Sequence, residues 1–290
     1  FDRLNVPTRF QKETSKKQGF VEKKLFPLDI VAKTFSYEGR KFGTLDLVTE
    51  PVDGILVLKN LRLNSGAGDI QITGRVDQKK EKETILDLTI EAHDVEEFLD
   101  QIGYGKGIEG GTGQLSGSIS WRGPLEKIDY ASLNGMIEIK VLNGQFTKLE
   151  PGAARLLGIL SLQALPRRLV LDFSDIFSSG FSFKDISSNF TISDGIAYTN
   201  DFAMEGPSAR VKMVGEINLE AESQKLAVEI IPQLSTAAAV AGAAVVNPAV
   251  GVATYVLQKI FGDPVEQMAA KKYLITGGWS TPSVSKMGGN

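Results

Sequence analysis

The chain has 290 residues, enough for one large domain or two ordinary ones. Hydrophobic residues make up 42% and charged residues 23%, which is typical of a folded globular chain. The formal net charge is −3 and the two signs are mixed, so the sequence lacks a basic stripe that would bind nucleic acid. Cysteine is absent, which excludes disulfides, thiolate metal sites and cysteine nucleophiles.

The start of the chain has neither an initiator methionine nor the apolar stretch of a signal peptide. Residues 1–6 instead have the composition of a strand. We therefore expect a piece of a longer protein, with the remainder of that chain on the N-terminal side.

Strand signals follow one another along the first part of the chain. Residues 45–49 and 55–58 flank Asp53-Gly54, a dipeptide typical of two-residue hairpin turns. Residues 61–64 carry a further strand signal. Apolar residues then alternate with polar ones, as in a strand with one apolar face, at Ile70, Ile72, Val76, Leu86, Leu88 and Ile90.

The middle of the chain mixes helix and strand signals. Asp94 predicts the N-cap of a short helix that ends near Ile102. The glycine-rich stretch 103–113 predicts a loop or hinge. Asn143-Gly144 predicts a second hairpin turn, with strands at 133–142 and 145–149. Residues 151–162 predict a helix, and strands resume from Leu169.

The sequence repeats itself: residues 42–77 and 183–218 align without a gap at an offset of 141 (183 − 42). Asp53-Gly54 falls on Asp194-Gly195, and Gly74 falls on Gly215. The two copies share an apolar/polar alternation and a turn, but no reactive side chains. A repeat of this kind is a repeated surface, so we expect function to lie in a surface before a catalytic centre.

Residues 235–261 differ from the strand framework because they are rich in Ala and Val and carry no charge before Lys259. Asn247-Pro248 divides the stretch, so we expect a hairpin of two apolar helices. The hairpin either caps an open end of the sheet or dips into a lipid surface. The candidates for membrane contact are its large apolar residues: Val240, Val245, Val246, Val250, Val252, Tyr255, Val256, Leu257, Ile260 and Phe261.

Catalytic signals are weak. His93 is the sole histidine, and a solvated surface residue is a better interpretation than a metal or acid–base role. No second imidazole exists for a nucleophile relay, and no Gly-x-Ser-x-Gly occurs. The glycines of 105–110 follow a helix signal and precede a strand, the wrong context for a dinucleotide loop. The sequence therefore predicts no catalytic residues, no metal site, no cofactor and no enzyme activity.

Several segments, in their order along the chain, resemble a known family. They are LPRRL at 165–169, LDFSDIF at 171–177, GFSF at 180–183, SDGIA at 193–197, GPSARV at 206–211 and YLITGGWSTP at 273–282. Together they resemble the C-terminal region of a long member of the AsmA-like family of Gram-negative envelope proteins. The match is good over 133–283 and looser over 1–132.

The resemblance implies a mainly β fold with a few helices: an elongated, curled antiparallel sheet with a hydrophobic groove, of the AsmA and TamB type. It implies a first β-groove unit at 1–132, with a short helix and a glycine-rich loop, and a C-terminal unit at 133–290. The apolar helical insert would lie at about 235–270, within the second unit.

The resemblance also implies a function. Such a protein is periplasmic and bridges the inner and outer membranes, with an inner-membrane anchor that this segment lacks. It conducts phospholipid towards the outer membrane without bond chemistry. The expected partners are phospholipid acyl chains, the outer-membrane surface and the rest of the longer chain.

The apolar rows are the candidates for such a groove: Leu45, Leu47, Ile70, Ile72, Val76, Leu86, Leu88, Ile90, Ile192, Val211, Met213, Ile217 and Leu219. A sheet with one apolar face must bury it, either under protein or under a ligand. Two other functions stay open. One is a structural or assembly domain that docks a partner protein through the Ala/Val hairpin. The other is a carbohydrate-active enzyme, which would need a cleft with paired acids.

Overall fold

The computed structural model describes residues 1–6, 26–77, 82–104, 107–146, 181–233 and 270–287. Most of these residues form strands, together with one α-helix and one short 3-10 turn at Tyr130–Ser132. The elements are β1 (Leu4–Val6), β2 (Leu28–Tyr37), β3 (Arg40–Val52), β4 (Ile55–Asn64), β5 (Gly68–Asp77), β6 (Glu83–Ala92), α1 (Val95–Ile102), β7 (Ile108–Arg122), β8 (Asn134–Phe146), β9 (Phe181–Ser193), β10 (Ile196–Glu205), β11 (Ala209–Asn218), β12 (Ser223–Pro232), β13 (Lys271–Gly278) and β14 (Ser283–Met287).

The strands form one sheet in which spatial order follows chain order from β1 to β14. Each strand from β2 onwards is antiparallel to the next, while β1 pairs with β2 in parallel. The sheet is curled and open, with β1 and β14 at its two edges. The mainly β, curled antiparallel sheet predicted from the sequence is therefore confirmed.

The internal repeat is a repeat of structure. The bounds of β3, β4 and β5 each differ by 141 residues from those of β9, β10 and β11. The turns also match, since Asp53 and Gly54 have φ of 49° and 85°, and Asp194 and Gly195 have 45° and 75°. Two consecutive residues with positive φ make the turn whose twist suits an antiparallel hairpin, which explains why Asp-Gly recurs.

The same irregularity interrupts both copies. The β4–β5 register shifts between Leu58 and Leu61, and the β10–β11 register shifts between Thr199 and Phe202, again at an offset of 141. A β-bulge of this kind bends a strand and increases its local twist. The two signals predicted at 55–58 and 61–64 are consequently one strand, β4, with a bulge inside it.

Two details of the predicted strand pattern are wrong. Asn143-Gly144 is not a hairpin, because β8 continues through it to Phe146. Asn143 has φ of 55° within an irregularity between β7 and β8, where Gly111 opposite has φ of 86°. The glycine-rich stretch is only partly a loop, since β7 begins at Ile108.

The strand ends form two rims along the sheet. One rim carries the connections 53–54, 78–82, 123–133, 194–195, 219–222 and 279–282; we call it the turn rim. The other carries 38–39, 65–67, 93–107, 147–180, 206–208 and 233–270; we call it the insert rim. The insert rim therefore holds α1, and the described strand ends that flank 147–180 and 233–270 lie at the same rim.

Two sequence predictions fall almost wholly on residues outside the described ranges. The helix expected at 151–162 and the apolar insert expected at 235–270 lie outside the described residues. Among the helices that are described, none has the length and apolar character needed to cross a membrane. The expected unit boundary near residue 132 falls between β7 and β8, where the sheet is continuous, and the division into units stays a prediction.

Candidate functional site

One face of the sheet is apolar along almost its whole length, and we call it the apolar face. Cross-strand pairs align apolar side chains into rows that run across the strands. One row passes from β3 to β9 through Leu47, Leu61, Ile72, Leu88, Gly117, Ile137 and Phe190. A neighbouring row passes from β3 to β8 through Leu45, Leu63, Ile70, Ile90, Leu115 and Ile139.

The rows continue through the second copy. One joins β8 to β12 through Val141, Ile186, Met204, Val211 and Ile230. Another joins β10 to β13 through Phe202, Met213, Val228 and Tyr273. Because paired residues on neighbouring strands share a face, these registers give one apolar surface from β3 to β13.

All the groove candidates named from the sequence lie on the apolar face, but their burial differs between the two copies. In β3–β6, Leu47, Ile70, Ile72, Leu88 and Ile90 are half-buried, while Leu45, Val76 and Leu86 are buried. In β9–β11, Ile192, Val211, Met213 and Ile217 are all buried, and Met213 is 2% exposed. Leu219, just past β11, is half-buried.

The apolar face is therefore partly open over β3–β8 and tightly packed over β9–β13. The role of the candidate residues as a groove lining stays a prediction in both copies. The candidates for membrane contact between Val240 and Phe261 lie outside the described residues.

The opposite, polar face carries the alternate residues, among them Gln71, Asp87, Thr89 and Ser116. In the second copy this face contains an open depression of about 600 Å³ beside Tyr198, Val214 and Leu274. Val214 falls on Thr73 of the first copy, so the same position is polar in one copy and apolar in the other.

α1 lies on the apolar face at the insert rim. Its buried residues, Val95 and Phe98, pack on Gly113 and Gly68, because neither glycine has a side chain to fill that space. The helix begins at its N-cap Asp94, as predicted, and the Asp94 carboxylate accepts a hydrogen bond from the backbone N–H of Glu97 at 3.0 Å. Arg40 Nη1 donates to the carbonyl of Ile102 at 2.8 Å and holds the other end.

Trp121 occupies the apolar face at the turn rim. It is 2% exposed, and its indole Nε1–H donates to the carbonyls of Pro124 at 3.2 Å and Lys127 at 3.1 Å. Thr84 Oγ1 donates to the carbonyl of Gly123 at 2.8 Å, which ties the same loop to β6. No role for Trp121 was predicted from the sequence, although its pairing with Thr84 completes the row that contains Val76.

A polar cluster marks the bulge of the second copy. Ser188 and Thr199 are buried with their hydroxyls 2.8 Å apart. Burial raises the pKa of Asp201, but hydrogen bonds from the side chain and backbone of Asn189, from Thr199 and from Ser188 outweigh it, and the net pKa is lowered. At a pH above the ordinary pKa of an aspartate, ionised Asp201 therefore stabilises the bulge. This contribution to stability is lost as the pH falls through the lowered pKa of Asp201.

His93 lies on the polar face near the insert rim, and its neighbours differ from those the sequence suggested. Asp94, Glu96 and Glu97 belong to α1 and its cap, whereas Asp69 and Glu91 lie beside the imidazole. His93 and Glu91 are two residues apart and share a face, and Asp69 is paired with Glu91 across the strands. Alternation along a strand is enough to predict Glu91 as a neighbour of His93. Asp69 can be recognised as a neighbour only once the β5–β6 register is known.

An open, curled antiparallel sheet with repeated units and one continuous apolar face defines a repeating β-groove protein. The profile of the YhdP protein family matches residues 1–284, and the chain belongs to that family. The AsmA-like resemblance of the sequence is thereby confirmed.

One relative is the intermembrane phospholipid transporter YhdP of Escherichia coli K12. It is 29% identical over 251 residues, which cover 86% of this chain and 20% of that protein. The chain thus spans about a fifth of the length of this relative. No solved structure matches the chain significantly.

Proposed function

We propose that this chain is the C-terminal segment of an intermembrane lipid-transfer protein, which conducts phospholipid along the apolar face towards the outer membrane. The observation that carries the proposal is the set of apolar rows running across the strands from β3 to β13. The named activity of the Escherichia coli relative supports it. The protein would act in the periplasm, between the two membranes.

The dimensions of the rows suit an acyl chain. Strands lie about 4.8 Å apart, so the five steps from β3 to β8 extend about 24 Å. The hydrocarbon part of one bilayer leaflet is about 15 Å deep, half of a core of about 30 Å. A lipid tail laid along a row therefore fits within the half-buried stretch with room to move.

Movement along such a row needs no bond chemistry. Apolar surface that a lipid tail covers contributes on the order of 25 cal/mol per Å² to the free energy of binding, whichever strand supplies that surface. A lipid tail has nearly the same free energy at Ile72 and at Leu88, which are adjacent in the row, because the two side chains offer similar apolar surfaces. Transport is consequently passive in this segment, without catalytic residues or a cofactor.

Residues 235–261 would contact the outer-membrane surface. Their candidates for that contact are the large apolar residues from Val240 to Phe261. The described strand ends that flank this stretch, the end of β12 and the start of β13, lie at the insert rim. A lipid leaving the apolar face at this rim would meet them next.

The test compares charges on the two faces of one strand. Ile72→Asp places a carboxylate in the half-buried row, whereas Gln71→Asp places it on the exposed polar face. We expect Ile72→Asp to reduce crosslinking of phospholipid to a photoreactive residue at position 137 of the same row by at least about fivefold. A fivefold loss corresponds to about 1 kcal/mol of binding free energy. Gln71→Asp is the matched control and should leave crosslinking unchanged.

Position 72 is preferred over Met213, because Met213 is 2% exposed and a carboxylate there would disrupt packing directly. Mass spectrometry of the purified protein supplies a second measurement, and we expect co-purified phospholipid. Equal crosslinking in the Ile72→Asp and Gln71→Asp proteins would show that lipid does not use this row.

The packed second copy favours one alternative, a non-catalytic assembly domain that docks a partner protein through the Ala/Val hairpin. Ile217, Leu226 and Ile275 are 0–1% exposed, as in a closed protein core. This alternative predicts purified protein free of phospholipid, together with a protein partner that is lost when residues 235–261 are deleted.

A further inference from the structure

Three side chains with metal-binding groups converge on the polar face near the insert rim. Asp69 on β5 is paired directly with Glu91 on β6, and His93 follows two residues later on the same face. One ligand atom from each of the three lies within 4.8 Å of the other two. His93 Nε2 is 3.4 Å from Asp69 Oδ2. Asn64 donates its amide N–H to Asp69 Oδ1, which orients the carboxylate with Oδ2 towards the imidazole.

The second copy of the repeat shows what this position otherwise contains. At the offset of 141, Arg210 stands where Asp69 does and Glu205 stands where Asn64 does. Arg210 and Glu205 form an ion pair, and the residue opposite Arg210 is Ile231. The second copy therefore balances its charge within the protein.

The first copy instead places two carboxylates directly opposite each other. Like charges in such a cross-strand pair destabilise a sheet. The imidazole of His93 sits beside them and offers a third ligand atom rather than the guanidinium that the second copy uses. A bound cation would supply the charge that Arg210 supplies in the second copy.

We propose that Asp69, Glu91 and His93 bind a divalent transition-metal ion of the zinc type. Two carboxylates and one imidazole are ligands that zinc takes, with water in the fourth position. Two ligand atoms at about 2.05 Å from a tetrahedral ion are about 3.3 Å apart. The separation of 3.4 Å between His93 Nε2 and Asp69 Oδ2 agrees with that value. Ca²⁺ and Mg²⁺ prefer oxygen ligands and would not use the imidazole.

The ion would fix the start of α1. Glu91 and His93 bracket the end of β6, and the next residue, Asp94, is the N-cap of the helix. His93 N–H and Asp94 N–H both donate to the carbonyl of Ala67, so the junction already has one anchor to the β4–β5 turn. A metal bound to β5 and β6 would add a second anchor. The position of α1 over the apolar face would then depend on metal.

The test titrates chelator-treated protein with Zn²⁺ and follows binding by calorimetry and the midpoint of thermal unfolding. We expect one Zn²⁺ per chain and a rise of several degrees in the midpoint. His93→Ala and Asp69→Asn should bind at least about tenfold more weakly, which corresponds to about 1.4 kcal/mol. Asp87→Asn, another carboxylate on the polar face of β6, is the matched control and should bind like the parent.

A structural readout accompanies the titration. Hydrogen exchange of the α1 amides should slow on addition of Zn²⁺ in the parent protein and stay unchanged in His93→Ala. Mg²⁺ at the same concentration should have no effect on either protein. The proposal is overturned by absence of a Zn²⁺-dependent rise in the parent, or by a rise of equal size in His93→Ala.

Discussion

Gly215 shows at the scale of one residue why the repeat conserves particular positions. Its φ is 143°, and its counterpart Gly74 has a φ of 155°. A Cβ at Gly215 would overlap the carbonyl oxygen of Lys225 on β12, and one at Gly74 would overlap that of Ile85 on β6. Both strands therefore approach their neighbours at a point where only a residue without a side chain fits.

Replacement of Gly215 by alanine should lower the free energy of unfolding by about 2 kcal/mol or more, because it combines an unfavourable φ with a backbone clash. Urea unfolding measures the change. Gly66→Ala is the control, because Gly66 has open space where a Cβ would lie and no positive φ. The free energy of unfolding of this variant should change little. Equal effects of the two substitutions would contradict the argument.

At the scale of one element, α1 depends on its cap and on what it covers. Eight residues are too few for a helix to be stable by itself, so packing of Val95 and Phe98 on the sheet supports it. The acidic first turn of Glu96 and Glu97 complements the helix dipole. Asp94 provides the hydrogen bond to Glu97 that begins the helix.

Asp94→Ala should cost about 1 kcal/mol of stability, because it leaves the N–H of Glu97 without this acceptor. Asp94→Asn keeps an oxygen acceptor and should cost much less. Chemical denaturation of the two variants measures the difference. If Asp94→Asn is as unstable as Asp94→Ala, the effect arises from charge and not from the capping hydrogen bond.

At the scale of the whole molecule, stability should differ along the sheet. The main contacts of each strand are with its two neighbours, as in a repeat protein, so that each part is stabilised mostly by what lies beside it. In β11–β13 the apolar face is fully packed, with Ile217 and Leu226 at 0% exposure. In β3–β5 the row of Leu47, Leu61 and Ile72 is half-buried. The residues that fall on Leu61 and Ile72 in the second copy, Phe202 and Met213, are each 2% exposed.

Amide hydrogen exchange should therefore be slower in β11 and β12 than in β5 and β6, even though both pairs have regular ladders. Exchange followed residue by residue by NMR, and corrected for sequence-dependent intrinsic rates, measures the difference. Similar protection in both copies would mean that the sheet opens as one cooperative unit.

The sequence predicted the sheet well because alternation and Asp-Gly turns are local signals. It failed where one local signal has two structural outcomes: Asn143-Gly144 favours positive φ, which occurs in a bulge as well as in a hairpin. The sequence also does not predict that the apolar face is more buried in the second copy than in the first. Ile70 and Ile72 are as apolar as Val211 and Met213, and the difference in burial is a property of the folded chain. The cluster of Asp69 with His93 likewise required the strand register.

The spacing of the two copies has a consequence for how such a protein grows. β9 lies six strands after β3, and because six is an even number both strands point the same way. Duplicating the unit therefore leaves the helix-bearing border and the tight-turn border on their original sides. Each added module lengthens the sheet by about 29 Å, at about 4.8 Å per strand, without inverting it. The length of such a sheet therefore depends on the number of copies, and evolution can change that number without altering the cross-section of the sheet.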